Sequence, residues 1–165
     1  MALRHRLADL SYWVYDRARH KTAFSSAEQT GTAADFSGLR GHKYAVLVTF
    51  RKDGTAVPTP VWFALLDDHR FVMSTEERTA KVRRIARDSR VRVFPCDPRG
   101  KALGPAVEGT ARILSDDAER TAADAALEEH YGRTRRVYER LMADPAETTY
   151  IEVVPVASTA AAPVN

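Results

Sequence analysis

Two prolines, two residues apart in an otherwise strand-like run, constrain this chain more than any other feature. From Lys43 to Arg51 the sequence KYAVLVTFR is rich in β-branched and aromatic residues, and Lys52-Asp53-Gly54 follows with a residue pair favoured in tight hairpins. The chain should therefore turn and come back through Ala56–Leu66. Pro58 and Pro60 lie in that returning run and have no N–H to give to a sheet ladder, so the strand must be bulged or lie along an open edge, with backbone groups left for something else. Asp67-Asp68 marks the next turn, Arg70–Ser74 a third strand, and Arg90–Pro95, Ala106–Leu114 and Thr148–Pro155 three more. Helical spacing predicts a short helix over Thr79–Arg87 with Val82, Ile85 and Ala86 inward. It also predicts an alanine-rich helix from an N-cap at Ser115 to His130, stopped by Gly132, and a further helix over 134–143. Short strands joined by tight turns, with one brief helix inserted and longer ones near the end, describe a small antiparallel β-barrel with helices, an α+β fold that is mainly β.

Leu3, Leu7, Leu10 and Val14 recur at helical spacing among Arg4, Arg6, Arg17 and Arg19, so residues 3–20 read as an amphipathic basic helix that packs on the domain or at a dimer contact rather than on a membrane. The organisation expected is a helix and linker over 1–38, a barrel domain over 39–156 and a flexible tail over 157–165. With 25 Lys and Arg against 22 Asp and Glu in 165 residues, the chain carries only +3. That is far from a polycation. No run approaches the roughly 18–20 apolar residues needed to span a bilayer, and MALRHRLADL lacks the features of a signal peptide, so a soluble cytoplasmic protein is expected.

Several chemistries lack their residues. Cys96 is the single cysteine, which excludes an internal disulfide and a cysteine-based zinc site, and the five histidines are scattered, so no metal site is expected. There is no Gly-x-Ser-x-Gly elbow, Walker loop or dinucleotide fingerprint. The basic run Lys81, Arg83, Arg84, Arg87, Arg90 and Arg92 raises nucleic-acid binding, but Glu76, Glu77 and Asp88 dilute it and the run reads as a solvated helix face. No nucleic-acid partner is expected.

The segment Ser74-Thr75-Glu76-Glu77-Arg78-Thr79-Ala80-Lys81 leaves a strand and enters a helix, which brings hydroxyls, helix N–H groups and a lysine together. This is phosphate-binding chemistry. The plainer reading is that Ser74 or Thr79 only caps the helix while Lys81 points to water. If the hairpins form a meander, Pro58–Phe63 should lie beside Phe71–Ser74 and share one ligand, with a flat ring on the strand and its phosphate at the helix start. Trp62 would stack on such a ring or be core.

The run KYAVLVTFRKDGTAVPTPVWFA, then ST followed by AKVRRIARDSRVRVFPCDPRGKALGPAVEGTARIL, resembles the pyridoxamine-phosphate-oxidase-like split β-barrels, specifically their deazaflavin (coenzyme F420)-dependent oxidoreductase branch. The likeness is close over residues 42–115 and loose to Val156. It implies a six-stranded split barrel of the FMN-binding type, a homodimer with its cofactor in the groove between subunits, and hydride transfer from reduced F420 to a conjugated small-molecule substrate. FMN is the alternative cofactor, and a non-catalytic flavin, deazaflavin or tetrapyrrole carrier is the alternative function. Carried over by position, Lys81 is similar to the family's phosphate lysine, with Ser74, Thr75, Arg78 and Thr79 nearby, while Thr59, Pro60, Val61 and Trp62 are similar to the ring-contacting strand. No catalytic acid or base is nominated. Relatives often place a basic residue where Thr79 stands, and the ending EVVPVASTAAAPVN lacks the C-terminal substrate-binding Arg segment of true pyridoxamine-phosphate oxidases. Vitamin B6 oxidation is therefore not expected.

Overall fold

The computed structural model describes residues 33–132 and 147–156. The predicted helices over 3–20 and 134–143 and the tail from 157 lie outside the described residues. Within them a 3-10 turn at Ser37–Leu39 precedes β1 (Tyr44–Phe50), β2 (Ala56–Val61), β3 (Ala64–Asp67), β4 (Arg70–Glu76), α1 (Ala80–Arg87), β5 (Arg90–Cys96), β6 (Val107–Ile113), α2 (Asp117–Tyr131) and β7 (Thr148–Pro155). The strands form one antiparallel sheet in the order β2-β1-β5-β6-β7-β4-β3.

Seven strands replace the expected six because the run read as one strand over Ala56–Leu66 changes partner midway. Its first half pairs with β1, Ala56 opposite Phe50 and Val61 opposite Ala45, and its second half pairs with β4, Ala64 opposite Val72. The prolines supply the reason. Pro58 and Pro60 stand opposite Val48 and Val46, and without an N–H they can occupy only the non-hydrogen-bonded positions of that ladder, which turn their polar backbone atoms to the far side of β2. That far side offers carbonyls but no N–H at two successive positions, so it cannot complete a second ladder. β2 is accordingly an edge strand.

The other edge is β3, joined to β2 through Trp62 and Phe63 alone. Six strand spacings of about 4.8 Å would hold the edges of a flat sheet nearly 30 Å apart, whereas three residue steps reach at most about 10 Å. The sheet must curl until its edges meet at that corner. Beyond the corner β4 runs on through Met73–Glu76 with β7 on one side and no strand on the other. The result is a curled sheet with an open split rather than a closed barrel, bounded by the far side of β2 and the end of β4.

Inside the curl lie Leu47, Phe63, Phe71, Met73, Val93, Ile151 and Val153, together with Val82 and Ile85 of α1, which plugs one end. Ala86, expected to face inward, is exposed. Phe36 and Leu39 complete this core, and Ala33 bridges to Val107, so the packed unit begins by residue 33 rather than near Leu39. On the outer face, α2 seats Ala123 and Leu127 against Ala64, Val72 and Leu114. Its N-cap is Asp116, not Ser115, because the Asp116 carboxylate accepts from the N–H groups of Ala118 and Glu119, each at 3.0 Å. Gly132 stops the helix at φ 53°, a left-handed value suited to glycine. Arg112 ties α2 down, bridging Glu119 at 2.7 Å and the buried Glu152 at 2.6 Å. No helix among the described residues is long and apolar enough to cross a membrane.

Gly109 on β6 leaves no room for a side chain: a Cβ there would lie 2.6 Å from Val153 Cγ1 and 2.8 Å from the Val154 carbonyl oxygen. Since backbone cannot yield as a side-chain tip does, Gly109→Ala should lower unfolding stability by about 1–3 kcal/mol in denaturant titration. An unchanged midpoint would show that β6 and β7 separate freely.

Candidate functional site

Lys81 is the second residue of α1 and only 9% exposed. The helix presents Lys81, Val82 and Ile85 to the curled sheet, so the apolar pair that anchors α1 also carries the lysine inward. Its ammonium donates to Thr75 Oγ1 at 2.7 Å, and among the described residues this is its one hydrogen bond and it has no ion pair. Burial pushes the lysine down to about 8, against the pull of Glu76 and with a push from Arg84. An ammonium has three donors. One is used here among the described residues, which leaves a buried cation with spare donors, an arrangement chemically suited to receiving an anion.

Thr75 lies on the interior face of β4 with Phe71 and Met73, which is why its hydroxyl meets Lys81. Strand alternation places Ser74 on the opposite face, with Val72. Ser74 therefore does not converge on the lysine. Thr79 occupies the N-cap position but does not cap; its hydroxyl turns back to the Glu76 carbonyl oxygen at 3.0 Å, leaving the first turn of α1 without a side-chain acceptor. Arg78 is exposed and 3.6 Å from Glu147.

On the other side of the split, Thr59 and Val61 share the interior parity of Leu47 and Ala45, while Pro60 faces outward and is buried. The expected neighbourhood of Pro58–Phe63 and Phe71–Ser74 is not a ladder: the two segments bound the split without pairing. Trp62 is half-buried and stacked on Tyr131, centroids 4.9 Å apart and planes at 15°.

Sequence reasoning missed three contributors. Thr49 is a hydroxyl at an inward strand position and accepts from Arg84 Nε at 2.7 Å; its parity within KYAVLVTF was the available signal. Arg87 donates to the Phe50 carbonyl at 2.6 Å, so two arginines of the supposed solvated face hold the end of β1 instead. Tyr131, 68 residues from its partner Phe63, had no local signal at all. Cys96 is buried, its thiol pushed up to about 12 by desolvation and by Asp97, which leaves it a packing residue rather than a nucleophile. Among the described residues no cluster of three His, Cys, Asp or Glu side chains is placed to hold a metal ion.

A family model described as pyridoxamine 5'-phosphate oxidase matches residues 32–159. The chain belongs to this family. No curated protein sequence matches it. Among solved structures of the same fold, an F420 reductase is 24% identical, with 76% of this chain and 96% of that one covered and a TM-score of 0.53. A conserved hypothetical protein from Mycobacterium tuberculosis is 17% identical over 77% and 86% of the two chains, at 0.56. The heme storage protein HutZ from Vibrio cholerae is 13% identical over 71% and 84%, at 0.55. At these identities the likeness shows a shared fold, and that fold holds proteins named for different tasks.

Because the Lys81 charge is lost as pH rises through about 8, sulfate, whose own charge is constant over this range, should bind more weakly at pH 9 than at pH 7. Calorimetric titration would show it, and Lys81→Met should abolish the pH dependence. An affinity that stays level across that interval would place the anion elsewhere.

Proposed function

We propose that the chain is an F420H2-dependent oxidoreductase that delivers hydride to a conjugated small-molecule acceptor, acting as a homodimer with the cofactor in the groove between subunits. The observation that carries this reading is Lys81: a buried ammonium with one hydroxyl partner, at the end of a split whose opposite edge carries free carbonyls. A phosphate monoester or diester suits the Lys81 and Thr75 end, where the uncapped start of α1 adds N–H groups. The carbonyls of Pro58 and Pro60 suit an N–H of a flat heterocycle. Bound there, the deazaflavin ring supplies two-electron hydride chemistry. The protein's part is to hold the tail, orient the ring and leave one ring face to the substrate, and no side chain is assigned as acid or base. The F420 reductase of the same fold supports deazaflavin over FMN, as do Arg78, just ahead of α1, and Arg83 within it, which lie toward the tail end. Arg83 donates to the Arg78 carbonyl at 3.1 Å, which orders that corner.

The deciding experiment titrates the purified chain with F420 and FMN separately. F420 should bind, with an affinity that falls more steeply with salt than that of FMN, because its glutamate tail pairs more charges at an exposed groove. FMN retained through purification, with no F420 affinity at low salt, would replace the deazaflavin reading by the flavin one. Sedimentation should show a dimer, and a monomer that binds with full affinity would refute the intersubunit groove.

Lys81→Met separates binding from folding. The folded-state value of about 8 lies below the ordinary 10.5, so the unfolded chain holds the proton more tightly and the charge destabilises the fold at every pH below about 8. That penalty fades as pH rises from 8 to 10.5. Removing the amine should raise apo stability at pH 7, with an upper limit on the order of 3 kcal/mol, while weakening F420 or FMN about tenfold to a hundredfold. A variant that is both less stable and equally tight would make Lys81 structural.

A further inference from the structure

The corner from which the two edges of the split separate is held by one side chain. Phe63, between β2 and β3, has no strand partner for its N–H and donates it to the Tyr131 hydroxyl at 2.8 Å. The same hydroxyl donates to the carbonyl of Lys43, just before β1, at 2.6 Å. Tyr131 is the last residue of α2, and its ring stacks on Trp62. Next to it, His130 packs on Phe63 at 5.8 Å, and its Nε2 is 3.2 Å from the His42 carbonyl oxygen. Three parts of the chain distant in sequence thus meet on two adjacent residues: the entry to β1, the β2–β3 corner and the end of α2. Burial holds the Tyr131 phenol above its usual range, so the O–H proton stays in place to be donated.

We infer that Tyr131 is the pin of the split, a positioning residue that fixes how the ring-bearing edge, Thr59–Trp62, leaves β4, and through it the affinity for a flat cofactor. This rests on the proposed function for its ligand and on the hydrogen bonds alone for its mechanics. β2 is tethered by β1 on one side only, so its angle to β4 is set where the two edges part. Lys81 stands on β4's side of the split and is not reached by Tyr131. The pin therefore acts on the ring end and not on the phosphate end.

In the wild-type apo chain, hydrogen exchange read by NMR should show the Phe63 amide exchanging as slowly as β1 amides although it lies outside any strand; rapid exchange overturns the pin. Tyr131→Phe keeps the stack on Trp62 and removes the hydroxyl. Phe63 should then lose protection while Ile151 in β7 keeps it, and unchanged protection at Phe63 overturns the inference. In that variant F420 and FMN should bind about tenfold more weakly, whereas inorganic phosphate at pH 7 should bind as before. Equal losses for cofactor and phosphate would mark a general structural role and refute positioning, as would no loss for either. If wild type binds neither cofactor, the proposed function falls, and the apo exchange measurements decide the pin on their own.

Discussion

Pro58 and Pro60 have no N–H, and that lack decides which side of β2 can carry a partner. With β1 on one side and an incomplete row of backbone groups on the other, β2 has to be an edge, and the chain has to leave it before it can pair again. It does so within two residues, at Trp62 and Phe63, and joins β4 as β3. The short link forces the sheet to curl until both edges share a corner. The split is the gap those edges leave, so the barrel's opening follows from backbone chemistry at two positions rather than from any residue that lines it.

A gap of this kind would be filled by water or side chains without a reason for a ligand to enter. Under the proposed function, Lys81 supplies the reason. Burying an ammonium with one hydroxyl partner is unfavourable, and the field of Glu76 only partly offsets it while Arg84 opposes it. α1 tolerates the cost because Val82 and Ile85, its neighbours on the helix face, sit in the main core. A charge held out of water by apolar anchors is preorganised for an anion, since the desolvation has already been met in folding and is not charged against binding. Arg84 on Thr49 and Arg87 on the Phe50 carbonyl fix the same helix to β1. β1 thereby carries both β2 and the helix that bears Lys81.

The family relation and the solved structures of like fold constrain the frame, not the chemistry. An F420 reductase and a heme storage protein sit within a few hundredths of each other in TM-score against this chain. A shared fold at these identities leaves the task to the particular side chains a chain carries. The buried lysine and the edge of carbonyl acceptors are the features on which the proposed phosphate-bearing flat heterocycle rests, and Trp62, which such a ring would otherwise stack on, is already matched with Tyr131. The arrangement makes Trp62 part of the frame that holds β2.

The strands, the hairpin at Gly54, the short helix and the capped long one were legible because each is written in local chemistry: alternation, a turn residue, an acidic first turn. The edge character of β2 was legible for the same reason, as was the nomination of Lys81, whose position at the start of a helix after a hydroxyl-rich strand end is a local pattern. Where the notion of a single strand over Ala56–Leu66 failed, the prolines marked the first half as an edge, but no local signal marks Trp62-Phe63 as the point where the run leaves β1 for β4. Local sequence also left Lys81 in water, since burial depends on how α1 seats against β1 and β6, contacts made across dozens of residues. Ser74 and Thr75 are adjacent hydroxyls with equal claim until the register of β4 sends one to the interior and the other to the opposite face. The pairing of Tyr131 with Phe63 and Lys43 had no trace in the sequence. By itself, then, the chain determined its elements, its open edge and the residue types of a candidate anion site, because those follow from groups a few bonds apart; the curl, the depth of the lysine and the hydrogen-bonded corner were decided only by the tertiary structure, because they depend on which distant surfaces exclude water together.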